Sequence, residues 1–124
     1  MNGWTAERPI FIQVAETLED AILAGALREE EQAPSTTEIS VRYAINPATA
    51  LKGVNLLVEQ GILYKKRGLG MFVAPGAAEK IARNRKERFM EEFVLKLVSE
   101  AKKLGISRED ILEMVRRGYE HERN

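Results

Sequence analysis

Two short stretches of the sequence carry side chains suited to a polyanion. Lys65-Lys66-Arg67 runs directly into Gly68-Leu69-Gly70, so three cations sit beside a backbone that glycine leaves free to bend and to approach a phosphate strand closely. An arginine beside such a tip can also enter a narrow minor groove. Asn46-Pro47-Ala48-Thr49 opens an apolar-periodic run with Asn as the cap and Pro at the first helical position. The tip of such a helix has unpaired N–H groups and a partial positive charge, both of which suit phosphate. Asn46 and Thr49 add hydrogen-bonding groups, Ala48 and Ala50 are small enough for the backbone to come close, and Lys52 follows within two turns. Ser35-Thr36-Thr37-Glu38, upstream of both, reads as a capping box that starts another helix. Each stretch also has a plainer reading: Asn46-Pro47 as a cap alone, Gly68 and Gly70 as turn residues, and the basic triple as a guard on an edge strand. Their order and spacing favour a joint role in binding.

Catalysis has little to work with. His121 is the single histidine, with no nucleophile or metal partner set around it. Glu91-Glu92 and Glu109-Asp110 fall on expected helix surfaces as solvated or capping charges. Gly68-Leu69-Gly70 is too short for a nucleotide-binding fingerprint and follows no strand-to-helix pattern. Cysteine is absent, which removes disulfides and thiolate metal sites and fits a reducing compartment. No enzyme activity, cofactor or metal site is therefore expected. Apolar runs fall short of the ~18 residues of a membrane span, and no leader pattern is visible; the expected compartment is the cytoplasm.

Net charge is zero, with 19 basic and 19 acidic residues, but the charges are unevenly spread. Residues 1–41 hold two basic and eight acidic groups, residues 42–75 five basic against Glu59 alone, and residues 76–124 twelve against ten. A neutral chain with a basic middle can present one cationic face, and phosphate binding depends on the face rather than the total.

The elements that must position these residues can be read from punctuation and periodicity. Residues 1–8 look like a loose arm. Pro9 starts a helix carrying Ile10, Val14, Leu18 and Ile22 at four-residue spacing, and Gly25 stops it. Residues 27–32 read as a polar connector. A short helix with Ile39 and Tyr43 follows the Ser35 cap, Ala44-Ile45 make a turn, and the helix begun at Asn46 runs through Leu51, Val54, Leu57 and Val58 to Gly61. Residues 62–67 and 71–73 flank the glycine-rich turn as a β-hairpin. Pro75-Gly76 marks the boundary between segments. A long helix is expected over 77–104, with Ile81, Phe89, Phe93, Leu97 and Leu104 near one stripe, and a last helix opens at Ser107 with Ile111, Leu112, Val115 and Tyr119 on its apolar face.

Helix, short helix, turn, helix and basic hairpin is the order of a winged helix-turn-helix, in which a helix enters the major groove and its N-terminal residues reach base edges. The fold class expected is mainly α with a small β-hairpin: a DNA-binding domain over 9–75 and a two-helix segment over 77–124. That segment is too small to bury a core alone. Its stripe calls for packing against the same chain or, as the favoured reading, against a second copy through Phe89, Phe93, Leu97, Leu104, Leu112 and Val115. The alternative is a winged helix serving as a protein-interaction module without DNA binding.

Residues 9–73 resemble the DNA-binding domain of the GntR family of regulators. The matching pieces are Pro9-Ile10-Phe11-Ile12-Gln13, Ile22-Leu23-Ala24-Gly25-Ala26-Leu27, Pro34-Ser35, Asn46-Pro47-Ala48-Thr49, Leu57-Val58-Glu59-Gln60-Gly61-Ile62-Leu63 and Arg67-Gly68-Leu69-Gly70-Met71-Phe72-Val73. The Asn-Pro-x-Thr helix start and the short tail resemble the YtrA-type subfamily, whose members carry two C-terminal helices in place of a large ligand-binding domain. The resemblance implies a repressor that binds double-stranded operator DNA as a homodimer. It implies DNA contacts at Ser35, Thr37, Asn46, Thr49, Lys52, Arg67, Gly68 and Gly70; Thr36, Pro47, Ala48 and Lys65 complete the candidate set. Two positions depart from the family pattern: Thr37 and Pro47 stand where many members have arginine, which lowers the expected phosphate affinity. No effector is indicated.

Overall fold

A computed structural model of the chain describes residues 7–122; the first six residues of the expected N-terminal arm lie outside them. The order is α1 (Ile10–Leu23), α2 (Thr36–Tyr43), α3 (Pro47–Glu59), β1 (Leu63–Lys66), β2 (Gly70–Val73), α4 (Ala77–Phe89), a π-helical turn (Met90–Val94), α5 (Leu95–Lys103) and α6 (Arg108–Glu122). This is the expected mainly helical winged fold with its antiparallel hairpin.

The helix boundaries follow their local chemistry. Pro9 precedes α1, and Gly25, at φ +79°, follows it. The capping box of α2 is complete: Ser35 Oγ accepts from the Glu38 N–H at 3.0 Å, and Glu38 Oε1 accepts from the Ser35 N–H at 3.0 Å. The Ser35 N–H, then its hydroxyl, then the charge of Arg42 hold the Glu38 carboxyl below the usual carboxylate range. Ala44 adopts a left-handed conformation at the end of α2, and the Ser40 hydroxyl donates to the Ile45 carbonyl at 2.7 Å, bracing the turn. Asn46 Oδ1 accepts from the Ala48 N–H at 2.7 Å and caps α3, with Pro47 in its first turn.

The chain divides into two compact units between Asn84 and Arg85. The core of the first gathers Val14, Leu18 and Ile22 from α1, Ile39 from α2, Val54 and Leu57 from α3, Ile62, Leu63 and Val73 at the hairpin base, and Ala77 and Ile81 from α4. Burying each such Val, Leu or Ile contributes roughly 1.5–3 kcal/mol. Ala77 and Ile81 thus belong to this core although they follow Pro75-Gly76, where the sequence places the boundary. In the second unit α5 and α6 are joined through Gly105, with Ser107 Oγ accepting from the Asp110 N–H at 3.1 Å to cap α6. The long helix expected over 77–104 is interrupted by the π turn.

Helices α1 and α3 approach most closely at Gly53. A Cβ there would lie 2.8 Å from the Phe11 carbonyl oxygen and 2.8 Å from Val14 Cγ1. A glycine inside a helix is unfavourable by ~0.5–1 kcal/mol relative to alanine, so Gly53→Ala would gain helix propensity. Displacing a backbone carbonyl in a packed core costs more, about 1–3 kcal/mol. Gly53→Ala is therefore expected to lower the thermal midpoint; an unchanged or raised midpoint in a calorimetric scan would refute the close-packed crossing. The capping box makes a second prediction. Because the Glu38 pKa is depressed on folding, its contribution is present above the ordinary carboxylate value of 4.5 and is lost as pH falls through the lower, folded value. Denaturant midpoints of wild type and Glu38→Ala should differ at pH 7 and converge in acid; a gap independent of pH would contradict the charge-assisted cap.

Candidate nucleic-acid interface

The outward face of α3 is defined by what its inward face buries. Ala50, Gly53, Val54 and Leu57 are buried, while Pro47, Ala48, Leu51, Lys52, Asn55 and Glu59 are exposed. This corrects the reading of Ala50 as a small residue facing a ligand: at 0 % exposure it belongs wholly to the core. Ala48 remains outside. Asn46 is exposed with its Oδ1 committed to the cap, and Thr49 is half-buried at the side of the helix. Lys52 places its Nζ 4.2 Å from the centroid of the Phe11 ring at the start of α1, a cation–π contact of ~0.5–1 kcal/mol at an exposed site. On α2, Ser35 and Thr37 are exposed beside the helix N-terminus, and Thr36 is half-buried.

The hairpin pairs Leu63 with Val73, Tyr64 with Phe72, Lys65 with Met71 and Lys66 with Gly70. Alternation sends Leu63 and Val73 into the core and separates the two lysines onto opposite faces. Lys66 shares its face with aromatic rings, its Nζ lying 4.2 Å from the Phe72 centroid and 5.8 Å from that of Tyr64. Lys65 is on the other face, exposed. The basic triple is thus not one continuous patch. Arg67 and Gly68 form the exposed tip. Gly68 has φ +77°, and a side chain there would meet nothing within 4 Å, so the tip is open for close approach. The Leu69 N–H donates to the Lys66 carbonyl at 2.9 Å and closes the turn.

The hairpin also has a neighbour that the sequence did not reveal. Residues 30–33, which overlap the end of the expected 27–32 connector, run along β2. The Glu30 N–H donates to the Val73 carbonyl at 2.8 Å, the Val73 N–H to the Glu31 carbonyl at 3.0 Å and the Ala33 N–H to the Met71 carbonyl at 2.8 Å, with Gln32 bridging to Phe72. Gln32 Nε2 donates to the Leu69 carbonyl at 2.6 Å, within the wing turn, and Tyr64 Oη donates to Glu30 Oε2 at 2.5 Å. That bond to a carboxylate raises the Tyr64 pKa above its ordinary value. The signal available in advance was slight: one bridge pair has no alternation to detect.

Among the described residues, no group of three or more His, Asp or Glu is placed to hold a metal ion, and no helix is long and apolar enough to cross a membrane.

No family model matches the sequence. Two Bacillus subtilis proteins align over most of their length: the HTH-type transcriptional regulator YhcF at 26 % identity, covering 93 % of each chain, and the HTH-type transcriptional repressor YtrA at 24 %, covering 87 % of this chain and 82 % of the other. The DNA-binding domain of AraR, solved in complex with an operator, superimposes at TM-score 0.53 with 30 % identity, covering 58 % of this chain and 87 % of that one. A transcriptional regulator of the GntR family from Bacteroides thetaiotaomicron superimposes at TM-score 0.72 with 35 % identity, over 91 % of this chain and 98 % of that one. With that identity across nearly the whole of a solved member, this chain belongs to the GntR family: it is a DNA-binding, helix-turn-helix transcription regulator, not an enzyme.

Proposed function

We propose that the chain is a YtrA-type repressor of the cytoplasm that binds a two-fold operator as a homodimer, with the winged domain of residues 9–75 on the DNA and, of the expected 77–124 segment, residues 85–124 holding the two copies together. The observation that carries the DNA-binding half is the exposed start of α3. Asn46, Pro47 and Ala48 leave a narrow, uncharged tip that fits the major groove, with Thr49 at its flank and Lys52 at its rim. Ser35, Thr36 and Thr37 offer the N-terminus of α2 to a neighbouring phosphate. Arg67 and Gly68 extend the wing toward the flanking backbone, while Gly70 and Lys65 lie just behind the tip. The alignment with YtrA supports the subfamily and the repressor reading.

The dimer rests on the apolar surface of the second unit. Phe89, Phe93, Leu97, Leu104, Leu112 and Val115 are all exposed, Phe93 at 59 % and Leu104 at 71 %. So many large apolar side chains exposed on one small unit support the reading of an interface. Two copies would set the recognition helices on half-sites about 34–36 Å apart, one turn of the duplex.

Two measurements test this. Duplexes selected from a random pool by the wild-type chain should bind with steep salt dependence. Reversing Lys65, Lys66 and Arg67 to glutamate should weaken binding and reduce the slope of log K against log salt by roughly 1–2 per wing, at close to 0.9 for each phosphate that is no longer neutralised. The reduction should stay below the full three because Lys65 and Lys66 leave the strand on opposite faces. Unchanged binding and slope would remove the wing from the interface. In sedimentation equilibrium the chain should run at twice its 14.0 kDa, and Phe93→Glu should be monomeric with an intact first unit. A wild-type monomer at tens of micromolar would exclude the dimer.

A further inference from the structure

The helix-start pattern centres base recognition on the first turn of α3, yet most of that turn is already committed. Asn46 spends its carbonyl oxygen on the helix cap. Pro47 and Ala48 have no polar side-chain atom, Thr49 is half-buried, and Ala50 is fully buried. Recognition must therefore lie further along the helix, and the inner face shows where. With Ala50, Gly53, Val54 and Leu57 turned inward, a turn of 100° per residue puts Ala48, Lys52, Asn55 and Glu59 within about 30° of the opposite direction. These four are all exposed. They form a strip along the outermost edge of α3, with exposed Leu51 beside it.

Along that strip the chemistry is uneven. Lys52 donates only, and its ammonium is drawn back over the Phe11 ring. Glu59 carries a negative charge that a phosphate repels, so it marks the end of the stretch DNA can occupy. Asn55, between them, is the one exposed side chain within α3 that both donates and accepts, and it makes no hydrogen bond among the described residues. Ala48 and Leu51 present methyl groups. From Ala48 to Asn55 is seven residues, about 10 Å of helix rise or three base-pair steps of ~3.4 Å.

We infer that Asn55 is the base-reading residue of α3. It pairs with an adenine through that base's N6 donor and N7 acceptor, while Ala48 and Leu51 pack on thymine methyl groups at the neighbouring steps. Among the bases, adenine alone presents a donor and an acceptor side by side in the major groove on the spacing of an amide. Thymine alone presents a methyl group there. The favoured half-site is therefore A·T-rich at the three or four pairs under α3, with one strictly required adenine. The inference rests on α3 being the element that enters the groove.

The test is binding-site selection from a random duplex pool with wild type, Asn55→Ala and Asn55→Gln, followed by titration of each on the wild-type sequence at several salt concentrations. Wild type should enrich one adenine in each half-site. Asn55→Ala should lose that preference alone, bind the parent duplex about five- to a hundredfold more weakly, and keep the salt slope, since no phosphate contact is removed. Asn55→Gln, which also matches adenine, should recover part of the preference. The same enriched sequence and affinity for Asn55→Ala would overturn the inference while leaving the DNA-binding reading intact. Weakening at every position with a collapsed salt slope would assign Asn55 a structural part and overturn it as well. Failure of wild type to enrich any sequence would refute the groove placement of α3, and with it this inference.

Discussion

The side of α3 that meets solvent is decided on the side that does not. At Gly53 the helix comes so near α1 that a methyl group would strike both the Phe11 carbonyl and the Val14 side chain. Ala50, Val54 and Leu57 close the contact along the same line, each almost without exposure. A helix held this tightly cannot rotate about its axis without burying a charge or exposing core. Its outward strip is therefore presented at one fixed angle. For a helix proposed to read DNA by the positions of a few donors and acceptors, that rotational lock is the first requirement, and it is met by the absence of a side chain.

The wing meets the same requirement differently. A two-stranded hairpin of four residues a side is marginal by itself. This one is supported at its base by Leu63 and Val73 in the core and along its edge by residues 30–33. The Tyr64–Glu30 bond and the Gln32–Leu69 bond tie side chains of one element to the other. The support reaches from the connector between α1 and α2 to the wing turn itself. Only Arg67 and Gly68 are left clear of it at the tip.

What the sequence made legible was punctuation. The Ser35 box, the Asn46-Pro47 start and the hairpin around Gly68 are local chemistry, specified by residues within three or four positions, and they appear as read. What it concealed depended on partners far away in the chain. Ala50 looks like a small surface residue until its angular position relative to Val54 and Leu57 is known. Residues 30–33 have neither alternation nor β-branched content, so their pairing with β2 comes from tertiary placement alone. Asn55 was hidden for the converse reason: a lone polar residue in an apolar-periodic run reads as filler until the inward set is fixed. The boundary at Pro75-Gly76 was inferred from breakers, whereas the first unit keeps Ala77 and Ile81 because they bury apolar surface.

The π turn was also concealed, and its cause lies in spacing. Phe89, Phe93, Leu97 and Ala101 recur every four residues. In an α-helix each such step drifts by about 40°, so three steps carry the last residue roughly a third of the way round from the first. A turn with i→i+5 bonding takes in an extra residue and offsets most of that drift. It sits at Met90–Val94, inside the series. The Phe89 and Phe93 rings lie 5.2 Å apart across it, and both remain exposed. The second unit buries only Ala101 among these four, so the alignment brings it little by itself. A helix that gives up regular hydrogen bonding to keep exposed aromatic and aliphatic side chains in register is shaped for something that lies along its length. Under the proposed dimer, a second copy of the same stripe related by a two-fold axis would supply the matching apolar surface.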